Sequence, residues 1–417
     1  MKRTLASILR LLARAMLRRY RPKIVGVTGS VGKTSAKEAI FTVLQTKFRV
    51  RRSEKNYNTE IGVPLAILGI PHCGRNIFTW AFAFFRVAVR MLIRDRRYPE
   101  ILVLEMGADR PGDIAYLTKL APPDVGVITA IGEIPVHVEF FAGPKELALE
   151  KSKLIEALPP EGCAVLNFDD AAIVNIRSRT AGRVLSYGFG EGAAIRVANY
   201  ALDPHGIRFT LERGGRSAAV KLGSTFGRQQ AYAAAAAAGV GIAFNMGLEE
   251  IAAALGRYES PPGRLKLIRG IKGTMILDDT YNASPAATNA ALEVLRELPA
   301  ERRIAVLGDM LELGEFTEAA HRAAGGEAAR SADVFIAVGE RMKFAMNAAK
   351  TRVETFWFAA ADEAGRKLQE LLKPGDVALI KGSQAIRMER VVKEVMAEPE
   401  RAPELLIRQD AEWQKRP

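Results

Sequence analysis

Short apolar runs rich in β-branched residues alternate with longer helical patterns over most of the chain. In the first part of the sequence these runs cover 23–29 (KIVGVTG), 101–108 (ILVLEMGA) and 124–131 (DVGVITAI). Apolar runs of this length, separated by helices, are typical of strands buried on both faces of a parallel sheet. The pattern therefore predicts an α/β fold in which helices cover both faces of a parallel sheet.

The pattern changes between residues 193 and 222. Apolar and polar residues there alternate in steps of two around the turn sequences DPHG and GG, which predicts an antiparallel meander of hairpins. The following segment, 231–247, is dominated by alanine and glycine. We expect it to form a helix that packs closely against the sheet and takes no part in chemistry.

The segment SPPGR (260–264) predicts a linker, because proline and glycine interrupt regular structure. Beyond it the alternation of strands and helices restarts without a second phosphate loop, as expected for a Rossmann-like α/β domain. The strands predicted there are 274–279, 303–309, 334–339, 355–359 and 376–383. The predicted domains are a basic helix at 1–22, a central domain at 23–259, a C-terminal domain at 263–397 and a polar, loosely held tail at 398–417.

Two segments carry arginines at helical spacing. Arg3, Arg10, Arg14, Arg18 and Arg21 form one stripe, and Arg86, Arg90, Arg94 and Arg97 follow the apolar run 77–85. Arginine interrupts both segments, so neither predicts a membrane span, which needs about 20 consecutive apolar residues. Basic amphipathic helices of this kind either lie on an anionic membrane surface or pack on protein with their arginines in solvent. The sequence leaves both alternatives open.

The positive charge of the chain is confined to its beginning. The 417 residues carry a formal net charge of +13, but residues 1–100 carry +16 and the remainder carries −3. This uneven distribution argues against nucleic acid as a partner, since most of the surface is not basic. Apolar residues make up 48% of the chain, and the two cysteines form no paired motif. A folded cytoplasmic protein of two or three domains is therefore expected.

The segment TGSVGKTS (28–35) is the strongest chemical signal in the sequence. It lies between a predicted strand and a predicted helix, where the backbone N–H groups of a glycine-rich turn can hold phosphates. Lys33 would reach the β- and γ-phosphates and Thr34 would bind Mg²⁺. Val27 replaces the first glycine of the usual motif. The residues predicted to bind the nucleotide are Gly29, Ser30, Gly32, Lys33, Thr34 and Ser35.

Glu105 ends the predicted strand 101–105 and is a candidate ligand for the same metal. Ligands bind parallel sheets at the carboxyl ends of the strands. One carboxylate and one hydroxyl are enough for an ion that also binds phosphates and water. Isolated glutamates at strand ends are often solvated, but the phosphate loop nearby favours a functional role.

Eight ordered blocks over residues 23–395 together resemble the Mur ligases, in particular the type that adds D-alanyl-D-alanine to a UDP-N-acetylmuramoyl-tripeptide. The blocks are TGSVGKTS (28–35), KNYNTEIGVPL (55–65), LVLEMGADRPGDI (102–114), GPKELALEKSKLI (143–155) with the preceding His137, PPGRL (261–265), DDTYNASP (278–285), GDMLELGE (308–315) and KGSQAIRMERVV (381–392). Each block alone is modest evidence, whereas the ordered set is specific.

The resemblance implies roles for individual residues. Lys33, Lys151 and Arg264 would be catalytic, and Thr34, Glu105, His137 and a carbamylated Lys151 would bind Mg²⁺. Asp279, Tyr281 and Asn282 would border the nucleotide from the C-terminal domain, together with Arg264. Asn56, Asn58, Lys381, Ser383 and Arg387 would contact substrate, although each could equally serve a turn or a helix cap.

The resemblance also implies the reaction. ATP would phosphorylate a substrate carboxylate, and an amine would displace the phosphate to form an amide, after the two domains close around the nucleotide. The expected partners are a UDP-muramyl-peptide and D-Ala-D-Ala, and the expected protein is a cytoplasmic monomer in peptidoglycan synthesis. Two alternatives remain: an amide ligase with another acceptor, such as the poly-glutamate type, and a P-loop ATPase without ligase activity.

Two departures from the family pattern concern substrate recognition. The phosphate loop begins at residue 28, whereas the family usually starts with a UDP-sugar-binding domain of roughly 80 or more residues. We therefore expect that domain to be absent, with the basic helices at the membrane face or in contact with the UDP diphosphate. Gln229-Gln230 and Ala233 replace residues that lie near adenine in the family.

Overall fold

The computed structural model describes residues 2–54, 57–74, 76–410 and 413, without the side chains of residues 2, 3 and 77. Asn56, one of the predicted substrate residues, and the side chain of Arg3 lie outside this set. In the described residues the strands form two sheets, of nine and six strands. We call the nine-stranded sheet with its helices the first unit, and the six-stranded sheet with its helices the second unit.

The first unit contains the following elements. Its strands are β1 (Lys23–Thr28), β2 (Val50–Arg52), β3 (Ile101–Glu105), β4 (Val125–Ile128), β5 (Cys163–Asn167), β6 (Arg183–Gly188), β7 (Ile195–Asp203), β8 (Gly206–Arg213) and β9 (Arg216–Gly223). Its helices are α1 (Lys2–Tyr20), α2 (Lys33–Leu44), α3 (Gly62–Leu68), α4 (Ile77–Leu92), α5 (Asp113–Leu120), α6 (Pro144–Glu156), α7 (Ala171–Ile176), α8 (Arg228–Ala243) and α9 (Leu248–Leu255).

The order of strands in the first sheet is β2-β3-β1-β4-β5-β6-β7-β8-β9. All neighbours are parallel up to β7, and β7, β8 and β9 form the predicted antiparallel meander. Strand β1 lies between β3 and β4, so the chain leaves β1 at the point where the strand order reverses. The pairing of Val27 with Glu105 brings the end of β3 beside the phosphate loop.

Apolar residues fill both faces of the first sheet. Helices α2, α8 and α9 supply the core of one face, and α1, α3, α5 and α6 supply that of the other. The alanine-rich segment forms α8 and packs closely on the sheet, as predicted. A Cβ atom on its Gly239 would lie 2.6 Å from a methyl group of Val165, so a larger residue there would push the helix away.

The second unit is a smaller α/β layer structure. Its strands are β10 (Lys266–Arg269), β11 (Met275–Asp279), β12 (Arg302–Gly308), β13 (Val334–Val338), β14 (Glu354–Phe358) and β15 (Asp376–Lys381). Its helices are α10 (Pro285–Glu297), α11 (Thr317–Ser331), α12 (Met342–Ala349), α13 (Ala361–Leu371), α14 (Glu389–Val395) and α15 (Ala402–Leu405).

The second sheet has the order β10-β11-β15-β12-β13-β14, and only the pairing of β10 with β11 is antiparallel among the described strands. Cores lie on both of its faces. Strand β15 lies between β11 and β12, and Asp279 pairs in register with Lys381. The two sheets confirm the predicted α/β class.

The two basic helices differ in their packing. Leu9, Ala13 and Met16 of α1 are buried in the core, so this helix packs on protein. Arg21 was assigned to the stripe of α1 but follows its last residue with a positive φ of 48°. Helix α4 instead exposes a row of large apolar side chains. In the described part of the chain, no helix meets the length and hydropathy needed to cross a membrane.

The tail predicted to be loosely held is packed against the second unit as far as residue 408. Leu406 is buried in a core of this unit, and Arg408 is 6% exposed. The Arg408 guanidinium donates to Glu389 Oε2 and to the carbonyl of Thr280, each at 3.1 Å. The expectation was wrong because the polar composition of the tail concealed a buried ion pair.

Candidate active site

The phosphate loop connects β1 to α2 in a conformation that requires glycine. Gly29 and Gly32 have φ values of 145° and 87°, and a Cβ atom on Gly29 would lie 2.1 Å from Thr129 Oγ1. Gly32 caps α2, which begins at Lys33 and buries Ser35 in its first turn. Ser30 Oγ is buried and has no hydrogen-bond partner among the described residues. A buried hydroxyl at a helix N-terminus fits a phosphate oxygen.

A buried lysine and a partly buried lysine meet at one carbonyl of this loop. Lys33 Nζ and Lys151 Nζ donate to the carbonyl of Gly29 at 2.8 and 3.1 Å. Lys151 extends from α6 and is 1% exposed. Burial, reinforced by the charge of Lys33, lowers the pKa of Lys151 to about 7. Burial also lowers the pKa of Lys33. The pair favours an anionic group at this point.

A carboxylate and a hydroxyl lie together where a magnesium ion would bind. Thr34 Oγ1 donates to Glu105 Oε2 at 3.3 Å, and Asn58 Nδ2 donates to Glu105 Oε1 at 3.4 Å. Lys37 Nζ lies 3.8 Å from the same carboxylate. The described residues contain no group of three or more His, Cys, Asp or Glu side chains that could bind a metal alone. The donors fit an ion that completes its coordination with phosphate oxygens and water.

His137 lies between carboxylates of the two units. Its Nδ1 is 2.7 Å from Glu312 Oε2 and its Nε2 is 3.6 Å from Asp109 Oδ1. The close contact with His137 lowers the pKa of Glu312. A lone histidine gives no sign in the sequence that it connects two units, and Glu312 and Asp109 were not predicted.

Arg264 crosses from the linker to the phosphate loop. Its guanidinium lies 3.8 Å from the centre of the Tyr281 ring and donates to Thr34 Oγ1 at 3.4 Å. Its Nε is buried without a hydrogen-bond partner among the described residues. A hydrogen bond from α8 holds the linker, since Gln230 Nε2 donates to the carbonyl of Arg264 at 3.0 Å. Gln230 therefore orders the linker, whereas in the family the residue at this position lies near adenine.

Asp279 and Lys381 bind each other instead of facing the cleft. Lys381 Nζ donates to Asp279 Oδ2 at 2.6 Å and to the carbonyl of Asn282 at 2.8 Å. Burial lowers the pKa of Lys381, while Asp279 opposes that change. The pair shapes the turn that carries Tyr281 and Asn282. Register in the second sheet explains the contact, because the two residues are opposite each other on β11 and β15.

These groups surround a cleft of about 710 Å³ between the two units. Residues assigned from the sequence that line the cleft are Ser30, Lys33, Asn58, Glu105, His137, Arg264, Tyr281, Asn282, Ser383 and Arg387. Ser383 Oγ accepts a hydrogen bond from the amide of Leu311 at 2.9 Å, and Arg387 Nε donates to Glu389 at 2.6 Å. Trp413 also lines the cleft and was not predicted.

A second cavity of about 410 Å³ lies against the phosphate loop. Val31 lines both cavities. Gln229 and Ala233 line the second one, and so do Asn167 and Tyr232, which were not predicted. Asn167 ends β5 and precedes two aspartates, a signal of the same kind as the one that identified Glu105. The cavity could hold a nucleoside whose phosphates bind the loop.

Two protein-family models match parts of the chain. The Mur ligase middle domain matches residues 86–241, and the Mur ligase glutamate ligase domain matches residues 263–384. A UDP-N-acetylmuramoyl-tripeptide–D-alanyl-D-alanine ligase of Bacillus subtilis (strain 168) is 30% identical over 406 residues, which cover 94% of this chain and 80% of the relative. The enzyme of that name from Escherichia coli (strain K12) is 31% identical over 378 residues, covering 89% and 76%.

Solved structures show the same likeness. MurF from Acinetobacter baumannii superposes with a TM-score of 0.79 at 27% identity, covering 93% of this chain and 79% of that one. MurF ligase from Thermotoga maritima in complex with ADP gives 0.78 at 30% identity, covering 93% and 83%. Folylpolyglutamate synthase of Mycobacterium tuberculosis complexed with ADP gives 0.66 at 18% identity over 91% of both chains, a likeness of fold alone.

Proposed function

This chain belongs to the Mur ligase family, and we propose that it uses ATP to join D-alanyl-D-alanine to a UDP-N-acetylmuramoyl-tripeptide in peptidoglycan synthesis. The contact of Arg264 with Thr34 carries the proposal, because it brings a cation of the linker onto the phosphate loop. The relatives that bear this activity in their names support the choice of substrates. We also propose that 260–262 separates a central domain (23–259) from a C-terminal domain (263–397).

The reaction proceeds in two steps. The tripeptide carboxylate attacks the γ-phosphorus of ATP, the bond to the β-γ bridging oxygen breaks, and an acyl phosphate and ADP result. The amine of the dipeptide then attacks the acyl carbon, phosphate leaves, and the amine loses a proton to give the amide. Lys33 and Arg264 hold and orient the γ-phosphoryl group, and positioning of this kind accounts for most catalysis of phosphoryl transfer.

Magnesium held by Thr34 and Glu105 would neutralise negative charge on the phosphates. The residues fit this ion, as the geometry of the hydroxyl and carboxylate indicates. His137 would contribute to a second ion in the same cleft. Gly29, Ser30, Gly32 and Ser35 shape the loop that receives the phosphates.

We assign Lys151 as the residue that becomes carbamylated. With its pKa lowered to about 7, its amine is substantially neutral at neutral pH. A neutral amine can attack carbon dioxide and lose a proton, which gives a carbamate anion. The modification turns the Lys151 amine beside Lys33 into a metal-binding anion, the charge that a site for Mg²⁺ needs.

Substrate contacts fall at the end of the cleft formed by both units. Asn58 from the first unit and Ser383 and Arg387 from the second line it, and Asn56 belongs to the same proposal. Lys381 and Asp279 act behind the cleft, where they fix the turn of Tyr281 and Asn282. We place the enzyme, acting as a monomer, in the cytoplasm, where ATP and UDP-linked precursors occur.

Phosphate release tests the function when ATP, the UDP-linked tripeptide and the dipeptide are each omitted in turn. We expect release and a new amide, identified by mass spectrometry, only with all three present. The Lys33→Ala variant should abolish release, whereas Lys47→Ala, at an exposed lysine just beyond α2, should not. Release that persists without the dipeptide would reject this function, and amide formation with glutamate in its place would assign a poly-glutamate ligase.

A further inference from the structure

Helix α4 carries two apolar faces, of which one is packed on protein. Ala83 and Val87 are buried, and Trp80, Phe84 and Met91 pack beside them on the core of the first unit. The opposite face is a stripe of Phe78, Phe82, Phe85, Val89 and Leu92, which are 83, 62, 64, 37 and 81% exposed. The steps of four and three residues place this row along one side of a helix. We call these five side chains the α4 stripe.

Guanidinium groups border the stripe along one side and at its carboxyl end. Arg86 and Arg94 are exposed, as are Arg96 and Arg97 just beyond the helix. Together with Arg90 they line an open groove of about 670 Å³ whose floor includes Phe82, Phe85 and Val89. Asp95 is the single acidic residue of the segment 77–97 and lies 3.6 Å from Arg90. The surface is therefore apolar along its middle and cationic along its border.

Helix α1 holds α4 in place from the inner side. Tyr20 Oη donates to the carbonyl of Arg90 at 2.7 Å and accepts from the amide of Asp95 at 2.8 Å. Its ring stacks on Tyr98 with the centroids 4.1 Å apart. Arg19 donates to the carbonyl of Leu92 at 3.2 Å, which places the basic end of α1 beside the basic end of α4. The stripe thus belongs to a fixed helix rather than to a loose segment.

We propose that the α4 stripe docks the protein on the surface of an anionic lipid membrane. Phenylalanine and leucine enter the boundary between headgroups and acyl chains, and the bordering arginines bind lipid phosphates. The helix lies in the plane of the surface, because its 16 residues span about 24 Å, less than the roughly 30 Å of a hydrocarbon core. A second copy of the chain is a poorer occupant, since it would bring two arginine borders together.

Among the described residues, the α4 stripe is separate from the active site. None of the residues that line the groove beside α4 lines the cleft that contains Lys33, Glu105 and Arg264. The proposal concerns where the enzyme acts and is independent of the choice of acceptor. Its failure would therefore not affect the proposed ligase reaction, and loss of ligase activity would not affect the docking.

Flotation with lipid vesicles tests the proposal on the full chain. The probes are phosphatidylcholine vesicles with and without phosphatidylglycerol. We expect binding to the anionic vesicles that weakens with salt and falls at least about tenfold in a Phe82→Ser, Phe85→Ser, Leu92→Ser variant. A matched control replaces Ile8 and Leu11, which are 42 and 62% exposed on α1, by serine and should bind as the parent does.

A second variant separates charge from apolar contact. Arg86→Gln, Arg94→Gln and Arg97→Gln together should reduce binding to anionic vesicles while thermal unfolding stays unchanged. Three results would overturn the proposal: no vesicle binding by the full chain, equal binding to both lipids, or unchanged binding of the serine variant. A dimer in sedimentation that dissociates when the stripe is altered would instead assign the surface to a second copy.

Discussion

Arg264 links the two units through one guanidinium. The side chain stacks on Tyr281 of the second unit and reaches Thr34 of the first. Its planar fork matches a phosphoryl group, which a lysine ammonium cannot reproduce in the same geometry. The position therefore depends on the shape of the side chain as well as on its charge.

We expect Arg264→Ala to lower kcat about a hundredfold or more, because it removes a charge that stabilises the transferred phosphoryl group. Arg264→Lys should recover only a small part of this loss. Steady-state phosphate release measures both variants, and Arg269→Ala, at an exposed arginine on β10, is the control. Activity of Arg264→Lys equal to that of the parent would show that charge alone matters.

Lys151 is buried beside the phosphate loop, where burial and the charge of Lys33 lower its pKa to about 7. Lys151→Ala should lower kcat about a hundredfold, and added short carboxylates should restore part of it by replacing the carbamate. Lys153→Ala alters a 40% exposed lysine on the same helix and should leave kcat unchanged. In parent protein depleted of carbon dioxide, reactivation by bicarbonate should be faster above pH 7 than below, because protonated amines do not react. Equal reactivation rates on both sides of pH 7 would contradict the assignment.

At the scale of single residues, the sequence indicated the chemistry of the side chains better than it indicated their contacts. Lys33, Thr34 and Glu105 follow from a local motif and a strand end, and the structure brings them close together at the phosphate loop. The pairing of Asp279 with Lys381 and the hold of Gln230 on the linker were not predictable, because sheet register and packing between distant segments determine them. Burial of Lys151 was likewise hidden, since its neighbours along the chain are polar.

Among the elements, the linker and β11 form one hydrogen-bonded turn. Asp278 is fully buried at the end of β11, where its Oδ2 accepts from the amide of Gly263 at 3.0 Å and its Oδ1 accepts from the amide of Thr280 at 3.1 Å. Burial raises its pKa from 3.8 to about 6 despite these bonds. The carboxylate thus orders the linker but is costly to ionise.

This pKa shift makes the stability of the folded chain depend on pH. Between pH 3.8 and about 6 the unfolded chain has lost the Asp278 proton while the folded chain retains it, so stability falls as pH rises across that range. Below pH 3.8 the Asp278 proton contributes about 3 kcal/mol to the free energy of unfolding, and this contribution is lost above about pH 6. Urea unfolding of the parent and of Asp278→Asn should show this slope only in the parent. An Asp362→Asn control, at a half-exposed side chain, should keep the slope.

Element type was predictable where apolar patterning is strong. The strands from 101, 124 and 334 and the meander after 193 follow directly from their spacing of apolar residues. The two basic helices look alike in the sequence. In the structure α1 packs on the core, whereas α4 packs one face on the core and exposes an apolar stripe on the other. Their difference arises from which neighbours cover each helix, and that depends on the order of strands, which local patterns do not contain.

The two α/β units meet through both apolar and polar contacts. Phe226 of the first unit is buried in a core of the second, while polar side chains face each other across the cleft. Beside the linker, Arg264 meets Thr34 and His137 meets Glu312 across the cleft. These polar contacts hold the two sides of the cleft less firmly than the apolar contact around Phe226 does. We therefore predict that the cleft opens and closes about the linker at 260–264.

We expect nucleotide binding to close the two units further, because phosphates held by the loop of the first unit also attract Arg264 of the second. Small-angle X-ray scattering should show a smaller radius of gyration when a non-hydrolysable ATP analogue and Mg²⁺ are added. Glu312→Ala removes a contact across the cleft and should enlarge the radius of the nucleotide-free protein. The Lys33→Ala variant, which cannot hold the phosphates, should show no closure at the same analogue concentration. Identical scattering of the parent with and without the analogue would exclude such a hinge, and catalysis would then take place in the arrangement that already brings Arg264 to Thr34.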